Sequence, residues 1–175
     1  MKRLIAILVF VIAPYICLGQ VSDVSVDYKS IYSVKEDGAH FTEVVKCDST
    51  TASSLYARAV SWLYKTFNSP KNVIQTENRE LGLIVVKGWY LSEFVQTEYK
   101  LTIQVKDGRF RYDVSDIKVH YDNPYDLYFP TQSFVEYKAK MDADGEDKWI
   151  AGARIFFDPA LISLKRGMTS KEEEW

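Results

Sequence analysis

From Leu101 to Val114, apolar and polar residues alternate without a fault on either side of Asp107-Gly108. A period of two marks a half-buried strand, because successive side chains leave opposite faces of a sheet. Asp-Gly between two such runs favours a two-residue hairpin turn in which both residues take positive φ. That turn sets the register: Lys106 faces Arg109, Val105 faces Phe110, Ile103 faces Tyr112 and Leu101 faces Val114. Every apolar residue then meets an apolar one, while the other face pairs Lys106 with Arg109, Gln104 with Arg111 and Thr102 with Asp113. A slip of one residue would turn the whole apolar set into water, so pattern and turn specify each other. The parity fails at Ser115-Asp116, where Ile117 and Val119 take over the apolar positions, and this predicts a bulge or bend.

Outside this hairpin the period changes along the chain. Gln20 to Asp37 is polar with scattered valines and reads as an extended lead-in with room for one strand, and Glu36-Asp37-Gly38 marks a turn. Ala39 to Cys47 is rich in strand formers. Asp48-Ser49-Thr50-Thr51 offers helix N-caps, after which Leu55, Ala59, Trp62, Leu63 and Phe67 form one helical stripe. Asn68-Ser69-Pro70 is expected to stop that helix. Val73 to Thr76 reads as a short strand, Glu77 to Gly82 as a polar connection and Leu83 to Leu91 as a further strand. Gly88 within that last strand implies a bulge or close packing. Residues 122–133 hold two prolines and read as a long aromatic loop. Phe134 to Met141 reads as a short helix and Lys148 to Phe157 as another. Asp158-Pro159 is expected to cap a last helix from Ala160 to Arg166, with Gly167 at its end and Lys171 to Trp175 as a charged, frayed segment.

The start of the chain has the three parts of a secretory signal: Lys2 and Arg3, the apolar run Leu4 to Ala13, and small residues up to Gly19. The run is shorter than the roughly 20 apolar residues a membrane-spanning helix needs, so residues 1–19 read as a cleavable signal and leave no transmembrane helix behind. A lipoprotein signal needs small residues before the modified cysteine, and Cys17 follows Pro14-Tyr15-Ile16 instead. The expected address is the bacterial periplasm or the extracellular space. Removing Lys2 and Arg3 leaves 20 basic residues against 24 acidic ones, a net charge of −4. That balance gives no overall pull toward nucleic acid. Only Cys47 remains after cleavage, and a single thiol closes no internal disulfide, so the fold must rest on its apolar core.

The order strand, helix, four antiparallel strands, helix describes an α+β layer with helices on one sheet face. Several stretches resemble a family of exported bacterial domains of unknown function described as having a TATA-binding-protein-like fold. They are Ala57 to Leu63, Phe67 to Gln75, Glu77 to Gly88 and Tyr99 to Ile117, with Lys106 to Tyr112 as the most recognisable piece. The resemblance covers about residues 40–120. It implies a β-α-β-β-β-β antiparallel sheet over residues 39–121, preceded by the lead-in 20–38 and followed by a loop and helical extension over 122–175. The family name states a fold and no activity, so it supplies no site residues, and the fold name implies no DNA binding.

No nucleophile elbow, phosphate loop or dinucleotide fingerprint is present. His40 and His120 sit on different expected strands without a cysteine or second histidine nearby, so no metal site is expected and they read as surface or edge histidines. Asp142 to Asp147 resembles a fragment of a calcium loop, but glycine stands fourth rather than sixth and Ala153 occupies the twelfth position, leaving a solvated acidic turn. The chain is therefore expected to be no enzyme and to need no cofactor. The strongest candidate for contact is the polar hairpin face, where Lys100, Lys106, Arg109 and Arg111 gather in a domain that is otherwise acidic. Against that, Asp107 and Asp113 are expected to neutralise part of the patch. The aromatic loop Tyr121, Tyr125, Tyr128 and Phe129 is the second candidate. The leading expectation is a binding or accessory module whose partner is another envelope protein or an anionic ligand. The alternatives are an envelope hydrolase with a carboxylate and tyrosine site, and a homodimerising structural protein.

Overall fold

The computed structural model describes residues 25–36, 38–92, 95–121, 132–133 and 145–170. The signal segment 1–19, the expected helix 134–141, Tyr125, Tyr128, Phe129 and the segment 171–175 lie outside the described residues.

The elements run α1 (Tyr28–Ile31), β1 (Tyr32–Lys35), β2 (Gly38–Lys46), α2 (Ala52–Thr66), α3 (Pro70–Val73), β3 (Ile74–Asn78), β4 (Leu83–Ser92), β5 (Val95–Lys106), β6 (Arg109–Tyr121), β7 (Gln132–Ser133) and α4 (Gly145–Thr169). All strands pair antiparallel in the order β1-β2-β6-β5-β4-β3. β2 runs beside β6 from Lys46 opposite Arg109 to Phe41 opposite Val114, and β7 takes over that edge at Lys118 and Val119. The α+β architecture with a β-α-β-β-β-β core is the expected one.

The hairpin register is the one its alternation predicts, at all of Lys106–Arg109, Val105–Phe110, Ile103–Tyr112 and Leu101–Val114. The turn itself differs from expectation. Gly108 has φ +72°, but Asp107 does not enter the positive-φ region. The tip is held from outside. The Asp107 carboxylate accepts the Ala52 N–H at 2.7 Å, the Gly108 N–H donates to the Thr50 carbonyl, and the Gly108 carbonyl accepts the Cys47 N–H. These bonds fix the tip against the β2–α2 corner and replace the free two-residue turn that local sequence favours. The bulge appears where parity fails: Asp116 takes φ +49°, and the β5–β6 register shifts between Glu98 and Lys100.

The core lies between one face of the sheet and the two long helices. Phe41, Ile84, Val86, Leu101, Ile103, Val105, Phe110, Tyr112 and Val114 supply the sheet side. Leu55, Ala59, Trp62 and Leu63 supply the α2 side, on the stripe read from the sequence, with Thr51 as N-cap to the Ser54 N–H. α4 is one continuous helix where two separate helices were expected. Proline inside a helix removes one backbone bond. Here Ile150, Ala153, Phe157, Leu161, Leu164 and Met168 keep a 3.6-residue stripe running through Pro159, which faces solvent. Burial of that stripe holds both halves on one axis. Residues 145–147, expected in an acidic turn, form its first turn. Gly167 lies inside this helix against Trp62 and does not end it.

Three further boundaries differ. The lead-in carries one helical turn besides the single strand its sequence allowed: Asp27 caps α1, and β1 pairs with β2 from Tyr32 opposite Phe41 to Lys35 opposite Gly38. Pro70 stops α2 but also begins a new turn as its N1 residue, a position where its missing N–H costs nothing. β3 therefore starts at Ile74 and reaches Asn78. At Gly88, close packing is the answer. A Cβ there would lie 2.6 Å from the ring of Tyr99, its cross-strand partner, and that ring also meets Phe157 edge-on at 5.2 Å.

Candidate binding face

The face of the sheet turned away from α2 and α4 carries Thr42, Val44 and Lys46 from β2, Arg109, Arg111 and Asp113 from β6, Lys100, Thr102, Gln104 and Lys106 from β5, and Val85, Lys87 and Trp89 from β4. Strand pairing orders them into rows. Lys46, Arg109 and Lys106 form the row at the hairpin end. Val44, Arg111 and Gln104 form the next, then Thr42, Asp113, Thr102 and Val85. The four sequence-predicted cations thus share one face. Lys106, Arg109 and Arg111 cluster at its exposed end, and Lys100, half-buried, stands roughly 20 Å along β5 from Lys106 and opposite Lys87. Lys46 and Lys87 belong to the same surface and were missed, because the pairing of β2 and β4 with the hairpin is long-range and leaves no local signal.

Of the two acids expected to neutralise part of the patch, Asp107 leaves it, while Asp113 stays on the face in the row beyond Arg111. Asp107 is engaged by the Ala52 N–H on the helix side. Asp113 accepts from the Thr42 hydroxyl at 2.5 Å and lies 2.9 Å from Nδ1 of His40. Glu98 pairs with Lys87 at 3.5 Å. Arg111 donates to Gln104. Among the described residues, Lys46, Lys106 and Arg109 form no ion pair, and all three are exposed. Val44 and Trp89 add apolar surface to the same face at 55% and 61% exposure. The result is a mixed surface of free cations and apolar atoms, the composition that meets carboxylates or phosphates beside aliphatic groups.

The face is not open along its whole length. At the end away from the hairpin, His40 is 4% exposed and Ser115 is fully buried. His40 was expected to be a surface or edge residue. Its register places it instead beside Asp113, with Lys35 Nζ of β1 3.2 Å from the same Nδ1. This polar cluster ties β1 to the sheet. A Ser-His-Asp arrangement for hydrolysis needs its serine reachable by substrate, and burial of Ser115 removes that role.

A second polar cluster lies under α4. The Tyr112 hydroxyl donates to Glu43 at 2.5 Å, and Lys165 donates to Glu43 at 2.9 Å and to the Ser25 carbonyl at 2.9 Å. Burial pushes the Tyr112 phenol well above its ordinary value, and the Glu43 carboxylate adds to that by hydrogen bond and by charge. The cluster joins β2, β6, α4 and the lead-in as a half-buried network of mutually satisfied groups.

Cys47 is buried with its thiol pushed up, first by burial, and its Sγ lies 3.9 Å from the Met168 carbonyl. Two open grooves border α2. One, of about 510 Å³, lies between its N-terminus and the Arg79–Gly82 turn; the other, of about 620 Å³, lies between Tyr56, Ala57, Val60 and β3. Among the described residues no group of three His, Cys, Asp or Glu is placed to hold a metal ion, and no helix is long and apolar enough to cross a membrane. Tyr121 ends β6, and the other residues of the aromatic loop lie outside the described residues.

No curated protein matches this sequence. Two crystal structures share the architecture. A TBP-like protein from Parabacteroides distasonis is 16% identical with a TM-score of 0.63, covering 80% of this chain and 98% of its own. A DUF4468 family protein from Bacteroides ovatus is 15% identical with a TM-score of 0.59, covering 86% and 99%. At such identities the likeness is one of fold. The family model described as a domain of unknown function (DUF4468) with TBP-like fold matches residues 41–120, which run from the first buried aromatic of β2 to the penultimate residue of β6. Residues 41–120 of this chain therefore match that family of unknown function, and the fold is TBP-like.

Proposed function

We propose that the chain is an exported, non-catalytic binding module of the cell envelope, and that the exposed end of its bare sheet face engages an anionic partner. The observation that carries this reading is the row Lys46, Arg109 and Lys106, without an ion pair among the described residues, with Arg111 behind it, on a chain whose net charge is −2. Four cations within a few strand spacings repel one another, and an anion lying across them offsets that cost. Of the neighbouring acids, Asp107 is bonded to the Ala52 N–H on the helix side, and Asp113 lies one row beyond Arg111 beside His40 and Thr42. The patch is local, so it selects a partner with a matching acidic surface rather than a long polyanion that needs a continuous basic groove. Another envelope protein with clustered carboxylates fits this description.

The test is affinity capture with cross-linking from native envelope extract, using the chain without residues 1–19 beside a Lys106→Glu, Arg109→Glu, Arg111→Glu variant. The reading expects one partner captured by the wild type and lost by a variant of unchanged thermal stability. Capture of the same partner by both proteins would move the contact away from this face.

A further inference from the structure

The sheet edge beside α2 carries a groove that the basic face does not share. β3 is the last strand of the sheet, and its Glu77 stands opposite Ile84, a core residue, so the Glu77 side chain leaves the strand on the helix-covered side. The opposite wall is the flank of α2, where Tyr56, Ala57, Val60 and Ser61 lie on adjacent turns. The groove between them holds about 620 Å³, and Arg79 lines both it and the neighbouring groove. Tyr56 is 6% exposed, and its hydroxyl is sealed from solvent yet forms no hydrogen bond of ordinary length among the described residues. Burial pushes this phenol up, the Glu77 carboxylate adds to that, and Arg79 opposes it, so both charged groups face the hydroxyl. Arg79 is itself positioned by a 3.2 Å bond to the Ser53 hydroxyl. A buried donor left unpaired costs stability, and that cost disappears when an acceptor arrives.

The strand edge adds backbone groups. The Gly82 carbonyl accepts the Val105 N–H, which makes Gly82 and Val105 a hydrogen-bonded pair. Alternation along β4 then turns the backbone groups of Leu83 and Val85 toward Asn78 and Thr76 of β3. Glu77, between those two, turns its own N–H and carbonyl away from β4, to an edge along which no described strand lies. A bulge between Ile74 and Thr76 bends the strand just before it.

We propose that the groove between α2 and β3 is a peptide-docking site: an extended segment of a partner polypeptide pairs with the Glu77 backbone and puts one uncharged side chain, a carboxamide, into the groove. The lining sets that chemistry. The amide oxygen accepts from the Tyr56 hydroxyl and from Arg79, and the amide N–H donates to Glu77. A carboxylate there would be repelled by Glu77 and an ammonium by Arg79, so an uncharged group that both donates and accepts is the complement. Ala57 and Val60 take the aliphatic stem. Strand addition draws affinity from the main chain and specificity from the alternate side chains that enter a pocket. A second copy of this chain would bring the same bulged edge against its twin, whereas an unstructured segment follows the bend. The site lies on the helix side of the sheet edge, so it stands whether or not the basic outer face binds an anion.

Titrating the isotope-labelled whole chain with short capped peptides, read by amide NMR shifts, tests the proposal. The probes are acetyl-Thr-Val-Gln-Val-Thr-amide and the same peptide with Glu, Lys or Leu in place of Gln. Shifts should be confined to the Tyr56–Val60 flank and residues 75–79, with the Gln peptide binding about fivefold more tightly than the other three. The Glu77 amide should exchange with solvent several-fold more slowly when that peptide is present. Tyr56→Phe should melt no lower than wild type, since the hydroxyl has no bond to lose, and should bind the Gln and Leu peptides equally. Shifts elsewhere, or none at millimolar peptide, would overturn the proposal. So would equal binding of all four peptides, unchanged exchange at Glu77, or a Tyr56→Phe variant that keeps the Gln preference or melts well below wild type. Shifts along β3 that appear on concentrating the chain without peptide would give the edge to a second copy and overturn it as well.

Discussion

One sheet presents two faces built from alternate residues of the same strands, and they differ in every physical respect. The inner face buries Phe41, Ile103, Phe110 and Tyr112 beneath α2 and α4. The outer face, one residue out of phase, exposes Lys46, Arg109, Arg111 and Val44. Packing specifies the first face, because each side chain has neighbours that any change of volume disturbs. Among the described residues no such packing specifies the exposed end of the second. Its residues are free to be chosen for what they meet outside the fold, and the outer face is therefore where function is sought.

The difference can be broken in order of expected effect. Phe110→Ala on the inner face should cost about 3–5 kcal/mol, read from the denaturant midpoint. A loss near the size of a surface change would mean the core is less closed than its burial indicates. Gly82→Ala should cost roughly 1–3 kcal/mol, since Gly82 has φ +59° and a Cβ there would stand 2.6 Å from the Val105 carbonyl oxygen. Lys165→Met, which leaves Glu43 with Tyr112 alone beneath α4, should cost about 1–3 kcal/mol in the same assay.

The inner face also sets a pH dependence. Burial raises the Tyr99 and Tyr112 phenols above the ordinary value of 10.0, with Glu43 contributing at Tyr112. Above that value the unfolded chain loses protons that the folded chain keeps, so stability falls as pH rises through 10.0 and is unaffected well below it. Melting temperatures at neutral and strongly alkaline pH should diverge for wild type and converge for a Tyr99→Phe, Tyr112→Phe variant. An equally steep alkaline loss in the double variant would show that other groups carry it. The smallest stability effect belongs to the outer face: Lys106→Glu, Arg109→Glu and Arg111→Glu should each stay within about 0.5 kcal/mol of wild type.

The same contrast explains what the sequence made legible. The register from Leu101 to Val114 could be read because alternation and Asp-Gly agree, and the α2 stripe because its period is carried by large residues. The turn geometry at Asp107 could not, since its determinants, Ala52 and Thr50, come from another element. The continuity of α4 was hidden by Pro159, although the stripe from Ile150 to Met168 runs through it. That stripe should have outweighed a single proline on the solvent side. On the outer face, the hairpin cations were found because they share one local pair of strands. Lys46, Lys87 and the His40–Asp113 contact depend on strand neighbours distant in sequence, and no local period reports them.

The account stands or falls on whether the outer face binds while the inner face folds. Fluorescence anisotropy with a labelled short glutamate peptide, matched in length to the patch, measures this directly, comparing wild type with the Lys106→Glu, Arg109→Glu, Arg111→Glu variant. The account predicts salt-sensitive binding to wild type and a loss of tenfold or more in the variant, about 1.4 kcal/mol or more, with the melting temperature unchanged. Equal binding by both proteins, or a variant that loses binding only because it unfolds, would contradict it.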